Sequence, residues 1–161
     1  MAIAFIIRSA EVRDIEALVR MRLELLHVAA ALGAPTDLSE AEWKEVGGAV
    51  RKYFAEALVT GKHCGVVAEA QGKVVACGGI VFMERPPYQG NLVGLEAYLM
   101  NMYTLPDWRG KGAGGAIVEE LLRCAREAGA KRVLLDAEPG ARRLYEKAGF
   151  RGNLEAMEIL L

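Results

Sequence analysis

Residues 98–115 read Tyr-Leu-Met-Asn-Met-Tyr-Thr-Leu-Pro-Asp-Trp-Arg-Gly-Lys-Gly-Ala-Gly-Gly, an apolar strand that runs into a basic, glycine-rich turn. An amphipathic helix follows at once. Ile117, Leu121 and Ala125 form its buried stripe, Val118, Leu122 and Ala128 lie beside it, and Gly129 stops it. Residues 132–137 (Arg-Val-Leu-Leu-Asp-Ala) then read as a short buried strand. Strand, crossover helix and strand imply at least one parallel pair, since an antiparallel pair needs only a tight turn. The turn is constrained as well. Four glycines fall within residues 110–115, between and beside Arg109 and Lys111. They leave backbone N–H groups uncovered at a helix N-terminus, where unpaired donors and the positive end of the helix dipole suit a phosphate-bearing ligand.

The rest of the chain supplies antiparallel partners and a helical layer. Residues 3–8 read as a strand. Leu18, Met21, Leu25, Val28 and Leu32 recur at spacings of three and four, the face of a first helix that ends at Gly33-Ala-Pro35. Ser39-Glu-Ala-Glu42 is a capping box. It opens a second helix with the face Trp43, Val46, Val50, Phe54 and Leu58. Residues 64–70 and 74–83 are β-branched runs split by Gln71-Gly72, which predicts a hairpin. Residues 84–95 are rich in turn formers, residues 96–104 form the fourth strand, 141–148 a short helix and 157–161 a last strand. The predicted order is βααβββαβαβ, without repeats, and the 161 residues read as a single domain over 1–161.

Composition removes several classes of function. No apolar run reaches the roughly 20 residues that span a bilayer, so no membrane role is expected. The opening residues read as a strand rather than a secretory leader. Cys64, Cys77 and Cys124 lack metal-ligand spacing and lie in apolar stretches, which predicts buried free thiols and a cytoplasmic protein. His27 and His63 have no ligand-spaced partner, so no metal is expected. No basic stripe with interleaved aromatics calls for nucleic acid. Charge is nevertheless uneven. Residues 109–151 hold ten basic and six acidic residues, a net of +4, and the remainder holds ten and fifteen, a net of −5. A bound polyanion or a solvated helical surface would each account for this.

Three phosphate-binding patterns compete for the turn. A Walker A loop needs Gly-Lys-Ser/Thr, and Lys111 is followed by Gly112. Gly110-x-Gly112-x-x-Gly115 with Asp136 some twenty residues on matches a Rossmann dinucleotide fingerprint. Pro106-Asp-Trp-Arg109 separates strand from glycines, however, and too little chain remains for a doubly wound sheet. The third pattern fits the flanks too. Arg109-x-x-Gly112-x-Gly114 resembles the acetyl-CoA signature of the GNAT (GCN5-related) N-acetyltransferase superfamily. Leu144-Tyr-Glu-Lys-Ala-Gly-Phe150 is similar to that family's Leu-Tyr-Glu-Lys-x-Gly-Phe segment, and Ile7-Arg8-x-Ala10 with Asp14 and Leu18 to its first strand and helix.

The resemblance implies an α/β (α+β) fold. Its mixed, mostly antiparallel, twisted sheet is splayed between strands 4 and 5 and flanked by about four helices, with acetyl-CoA in the gap. It implies that backbone amides of Gly110, Lys111, Gly112, Ala113 and Gly114 meet the pyrophosphate. Arg109 would position the turn or reach a phosphate, and Lys111 would add charge at the rim or stay solvated. The backbone of Met102, Tyr103 and Thr104 would bind pantetheine and polarise the thioester carbonyl. Tyr145 takes the general-acid position, where a phenol of pKa ~10 can protonate a departing thiolate of pKa ~8.5. Glu96 is the first candidate for the base and Glu84 the second. A bulge in the fourth strand would decide which side chains face the acceptor, Asn101 and Tyr103 among them. Many relatives carry Asn or Ser where this chain has Glu138 before Pro139.

The expected activity is acetyl transfer from acetyl-CoA to a primary amine, a small molecule or a peptide N-terminus or lysine. The transfer is direct, within a ternary complex, since no cysteine sits in a nucleophile setting. A homodimer is left open. The alternatives are a non-catalytic acyl-CoA-binding module and an NAD-binding Rossmann-type oxidoreductase. The net acidity outside residues 109–151 suits a cationic amine, polyamine or aminoglycoside acceptor.

Overall fold

The computed structural model describes residues 4–31, 38–138, 140–152 and 159. Five strands form one sheet in the order β1-β2-β3-β4-β5: Ile6–Ser9, His63–Ala70, Lys73–Glu84, Leu95–Thr104 and Arg132–Leu134. β1 to β4 are antiparallel neighbours, whereas β4 and β5 run parallel across the crossover helix α3 (Ala113–Glu127). That mixed topology matches the expected α/β class and excludes the doubly wound sheet of the dinucleotide reading. Helices α1 (Ile15–Ala31) and α2 (Glu40–Thr60) cover one face, and α3 with α4 (Arg142–Lys147) covers the other.

Local chemistry explains the joints. Ser39 caps α2: its hydroxyl accepts from the Glu42 amide at 3.3 Å, and the Glu42 carboxylate accepts from the Ser39 amide at 2.7 Å. Gln71 (φ 52°) and Gly72 (φ 72°) close the β2–β3 hairpin in the left-handed conformations of a two-residue turn. Alternation along the strands splits the core in two. Val66, Ile80, Leu99, Ile117 and Leu121 pack under α3, and Leu18, Met21, Phe54, Cys77 and Tyr103 pack under α1 and α2. At the edge, Arg8 of β1 holds Asp14 through two hydrogen bonds of 2.7 and 2.9 Å and Glu69 of β2 at 2.7 Å.

Two features shape the site. Pairing of β4 with β5 spans only Glu96↔Arg132 to Tyr98↔Leu134, after which β4 continues to Thr104 without a partner on that side among the described residues. This is the expected splay. The second feature is a bulge in β4. Cys77 pairs with Tyr103 and Gly79 with Met100, so Asn101 and Met102 together face Gly78. Asn101 takes φ 57°, a left-handed conformation that asparagine tolerates better than most residues.

Some expectations are corrected. β5 ends at Leu134 rather than at residue 137, and Asp136 and Ala137 are exposed. Val28 and Ala128 face solvent because the ends of α1 and α3 outrun the core stripe. Leu32, the stop at residues 33–35 and the strand expected at 157–161 lie outside the described residues, apart from exposed Ile159. The three cysteines are unbridged, and only Cys77 is fully buried.

Candidate active site

The glycine turn opens at the C-terminal end of β4. A short 3-10 turn, Pro106–Trp108, reverses the chain, and Gly110 (φ 73°) and Gly112 (φ 89°) then adopt left-handed conformations. A Cβ at either glycine would meet no atom within 4 Å, so backbone conformation and open access, not packing, account for them. Gly112 is the N-cap of α3 and supplies no side-chain cap. The first amide of this helix with a backbone acceptor is that of Ala116, bonded to the Gly112 carbonyl at 3.1 Å; none from residues 110–115 has one among the described residues. A row of free donors therefore faces solvent at the positive end of a 15-residue helix.

Arg109 folds back over the end of β4. Its Nε donates to the Thr104 carbonyl at 3.1 Å, and its guanidinium lies 5.7 Å from the Tyr103 ring centre. This braces the turn. Lys111 is exposed, with Nζ 5.1 Å from the Trp108 ring centre.

Helix α4 packs against α3. Leu144 Cδ2 lies 3.4 Å from the position a Cβ on Gly114 would take, so the helix seats directly on the glycines. Tyr145 is buried and meets Phe150 edge-on at 5.9 Å between ring centres. Burial raises its pKa above the ordinary phenol value, which keeps the hydroxyl protonated at neutral pH. A cavity of about 840 Å³ adjoins it, bounded by Tyr98, β5, α4 and the end of α3.

Glu96 sits at the start of β4, 1% exposed, on the α1/α2 face. Tyr88 of the preceding loop donates to its Oε1 at 2.7 Å, and Arg85 Nε approaches Oε2 at 2.7 Å. Arg132 of β5 is 4.0 Å from Oε1. The Arg85 contact is an ion pair without hydrogen-bond alignment, so Oε2 retains its accepting lone pairs. Glu84 is exposed at the end of β3. Arg85 and Tyr88 escaped the sequence reading, because their role depends on the loop folding back onto the strand. Asp136 bonds the hydroxyl of Tyr98, whose pKa burial and that carboxylate push up to about 12.

The splayed strand, free amides and adjoining tyrosine point to one family. The family model for acetyltransferases (GNAT) matches residues 32–150. The chain belongs to the acetyltransferase (GNAT) family. It is 27% identical over 88 residues to a glucosamine 6-phosphate N-acetyltransferase of Trypanosoma brucei brucei, covering 55% of this chain and 58% of that protein. It is 33% identical over 101 residues to a probable glucosamine 6-phosphate N-acetyltransferase 2 of Oryza sativa subsp. japonica, covering 60% of each. These matches thus span under two thirds of the curated relatives. Among solved structures, a predicted acetyltransferase from Clostridium acetobutylicum crystallised with acetyl-CoA superposes with TM-score 0.83 at 27% identity, over 98% of this chain and 96% of that one. A GCN5-related N-acetyltransferase from Ralstonia eutropha superposes with TM-score 0.81 at 22% identity, over 98% and 99%, and shares the fold. Among the described residues, no GNAT helix here is long and apolar enough to cross a membrane.

Proposed function

We propose that this chain is a single-domain, acetyl-CoA-dependent N-acetyltransferase acting on the primary amine of a small molecule. The observation that carries the reading is the row of unpartnered amides at the N-terminus of α3, opening beside the gap between β4 and β5. An anionic diphosphate there would accept from Gly110, Lys111, Gly112, Ala113 and Gly114, with Arg109 bracing the loop. The pantetheine arm would lie along the unpaired stretch of β4 and meet the backbone of Met102, Tyr103 and Thr104. Acetyl-CoA fits these residues because a side chain at Gly112 would be strained and would cover the cradle.

Transfer within a ternary complex needs two protons moved. Glu96 takes one from the attacking ammonium through Oε2, directly or through a water, so that the nitrogen lone pair can attack the thioester carbonyl. The C–N bond forms, the C–S bond breaks, Tyr145 gives its proton to the departing thiolate, and the phenolate takes up the second proton that the nitrogen sheds. A buried phenol suits that task, since it is still protonated at neutral pH when the thiolate departs. The curated relatives, named for glucosamine 6-phosphate, support a small-molecule amine rather than a protein acceptor. Three unbridged thiols suit a reducing compartment such as the cytoplasm.

Calorimetric titration with acetyl-CoA, followed by mass spectrometry of an amine panel, tests the reading. Saturable one-to-one binding and acetylated amine are expected. Binding without acetylation of any amine would leave an acyl-CoA-binding module instead.

A further inference from the structure

On the α1/α2 side of the sheet, one turn beyond buried Leu18, stands an arginine without a counter-charge. Arg22 is half-buried, and among the described residues no carboxylate lies within 4.0 Å of it. Its electrostatic neighbours are Tyr53 of α2, Cys77 of β3 and His63 of β2, and burial lowers its pKa from the ordinary arginine value. A guanidinium drawn from water without an anion costs stability, so its presence calls for another reason.

Two further polar groups on the same face are unsatisfied. His63 is 2% exposed and packs the Nε2–Cε1 edge of its ring on Gly79, where a Cβ would come within 2.1 Å of Nε2. Its Nδ1 meets the Tyr53 hydroxyl at 3.3 Å, while Nε2 has no partner. Burial and the charge of Arg22 push its pKa down to about 4, so the ring is neutral at pH 7. In the tautomer whose Nδ1 accepts from the Tyr53 hydroxyl, Nε2 carries the ring proton and is a donor. Asn101 at the β4 bulge is 5% exposed, with Nδ2 3.9 Å from Cys77 Sγ and Oδ1 unpaired. The registers His63↔Val81↔Tyr98 and Gly79↔Met100 run these positions across the sheet toward the strand that bears Glu96.

We propose that Arg22, His63 and Asn101 form the acceptor subsite, and that the acceptor is an amine carrying an acidic group, a carboxylate or a phosphate. The acid accepts from the Arg22 fork and from His63 Nε2–H, and Asn101 Oδ1 accepts from an N–H or hydroxyl of the same molecule. This rests on the acetyl-transfer reading above and sharpens its acceptor. It departs from the cationic acceptor that the net acidity outside residues 109–151 suggests, because the local field at Arg22 is positive.

Matched amines test it, each pair differing only in the acid: an amino acid and its amide, an amino sugar and its phosphate, with spermidine as the acid-free polycation. The expected result is a kcat/KM for at least one acid-bearing member about 10- to 100-fold above that of its partner. The pair that shows the margin distinguishes carboxylate from phosphate. Arg22→Gln should abolish the margin, leave the acetyl-CoA affinity unchanged, and keep or raise Tm. A merely structural arginine would lower Tm and every rate together. Equal rates within both pairs, a preference for spermidine, or no acceptance of any acid-bearing amine overturns the subsite. Failure of acetyl-CoA to bind, read separately by calorimetry, overturns the transfer reading instead.

Discussion

The Tyr88 hydroxyl donates a 2.7 Å hydrogen bond to the buried carboxylate of Glu96, tying the loop between β3 and β4 to the proposed base. The bond holds the carboxylate in place at the start of β4. Tyr88→Phe removes that donor alone and should lower kcat/KM by about 10-fold, because the carboxylate loses the bond that orients it. Glu96→Gln should lower kcat by about 10²- to 10⁴-fold. Unaltered kcat/KM in the first variant and unaltered turnover in the second would remove Glu96 from the mechanism.

Tyr145→Phe tests the acid. The ring keeps its edge-on contact with Phe150, and only the hydroxyl is lost. Turnover should fall by about 10²-fold or more, while acetyl-CoA affinity, measured by calorimetry, stays within about threefold because the diphosphate cradle is untouched. Wild-type kcat in this variant would leave Tyr145 as a packing residue.

Acid should destabilise the fold through His63. Its folded pKa of about 4 lies below the ordinary value of 6.5, so the unfolded chain binds the extra proton first as pH falls. The stability that its neutral form contributes is complete above pH 6.5 and is lost toward pH 4, at most about 3 kcal/mol. His63→Gln should flatten that part of a denaturation–pH curve. An unchanged slope between pH 6.5 and 4 would contradict the assignment.

Asp14 anchors the opposite edge. Burial raises its pKa, but the two hydrogen bonds from Arg8, the Glu11 amide at 2.8 Å and the Arg8 charge outweigh this and hold it below the ordinary carboxylate value. Asp14→Ala leaves Arg8 with Glu69 alone and should cost about 3–5 kcal/mol of unfolding free energy, measured by denaturant titration. A loss under 1 kcal/mol would show that the cluster is dispensable.

What the sequence disclosed follows from the range of each interaction. The glycine turn, the Ser39 cap and the Gln71-Gly72 hairpin were legible because their chemistry is local, carried by a few adjacent residues. The parallel β4–β5 pair was legible from the crossover helix. The bulge at Asn101 entered only as an ambiguity of strand parity, since a left-handed asparagine leaves no periodic trace. The partners of Glu96 were illegible because Arg85 and Tyr88 reach it through loop geometry. Arg22 beside His63 was hidden for a stronger reason. Their meeting depends on how α1 and α2 seat on the sheet, and neither residue stands out in its own segment.

Amide-resolved titration with coenzyme A tests the central claim most directly. If free main-chain donors at the start of α3 hold the diphosphate, the ¹⁵N–¹H resonances of Gly110, Gly112 and Gly114 will move together and saturate at one equivalent. Saturation elsewhere with these three resonances unmoved, or no saturation at all, would contradict the account.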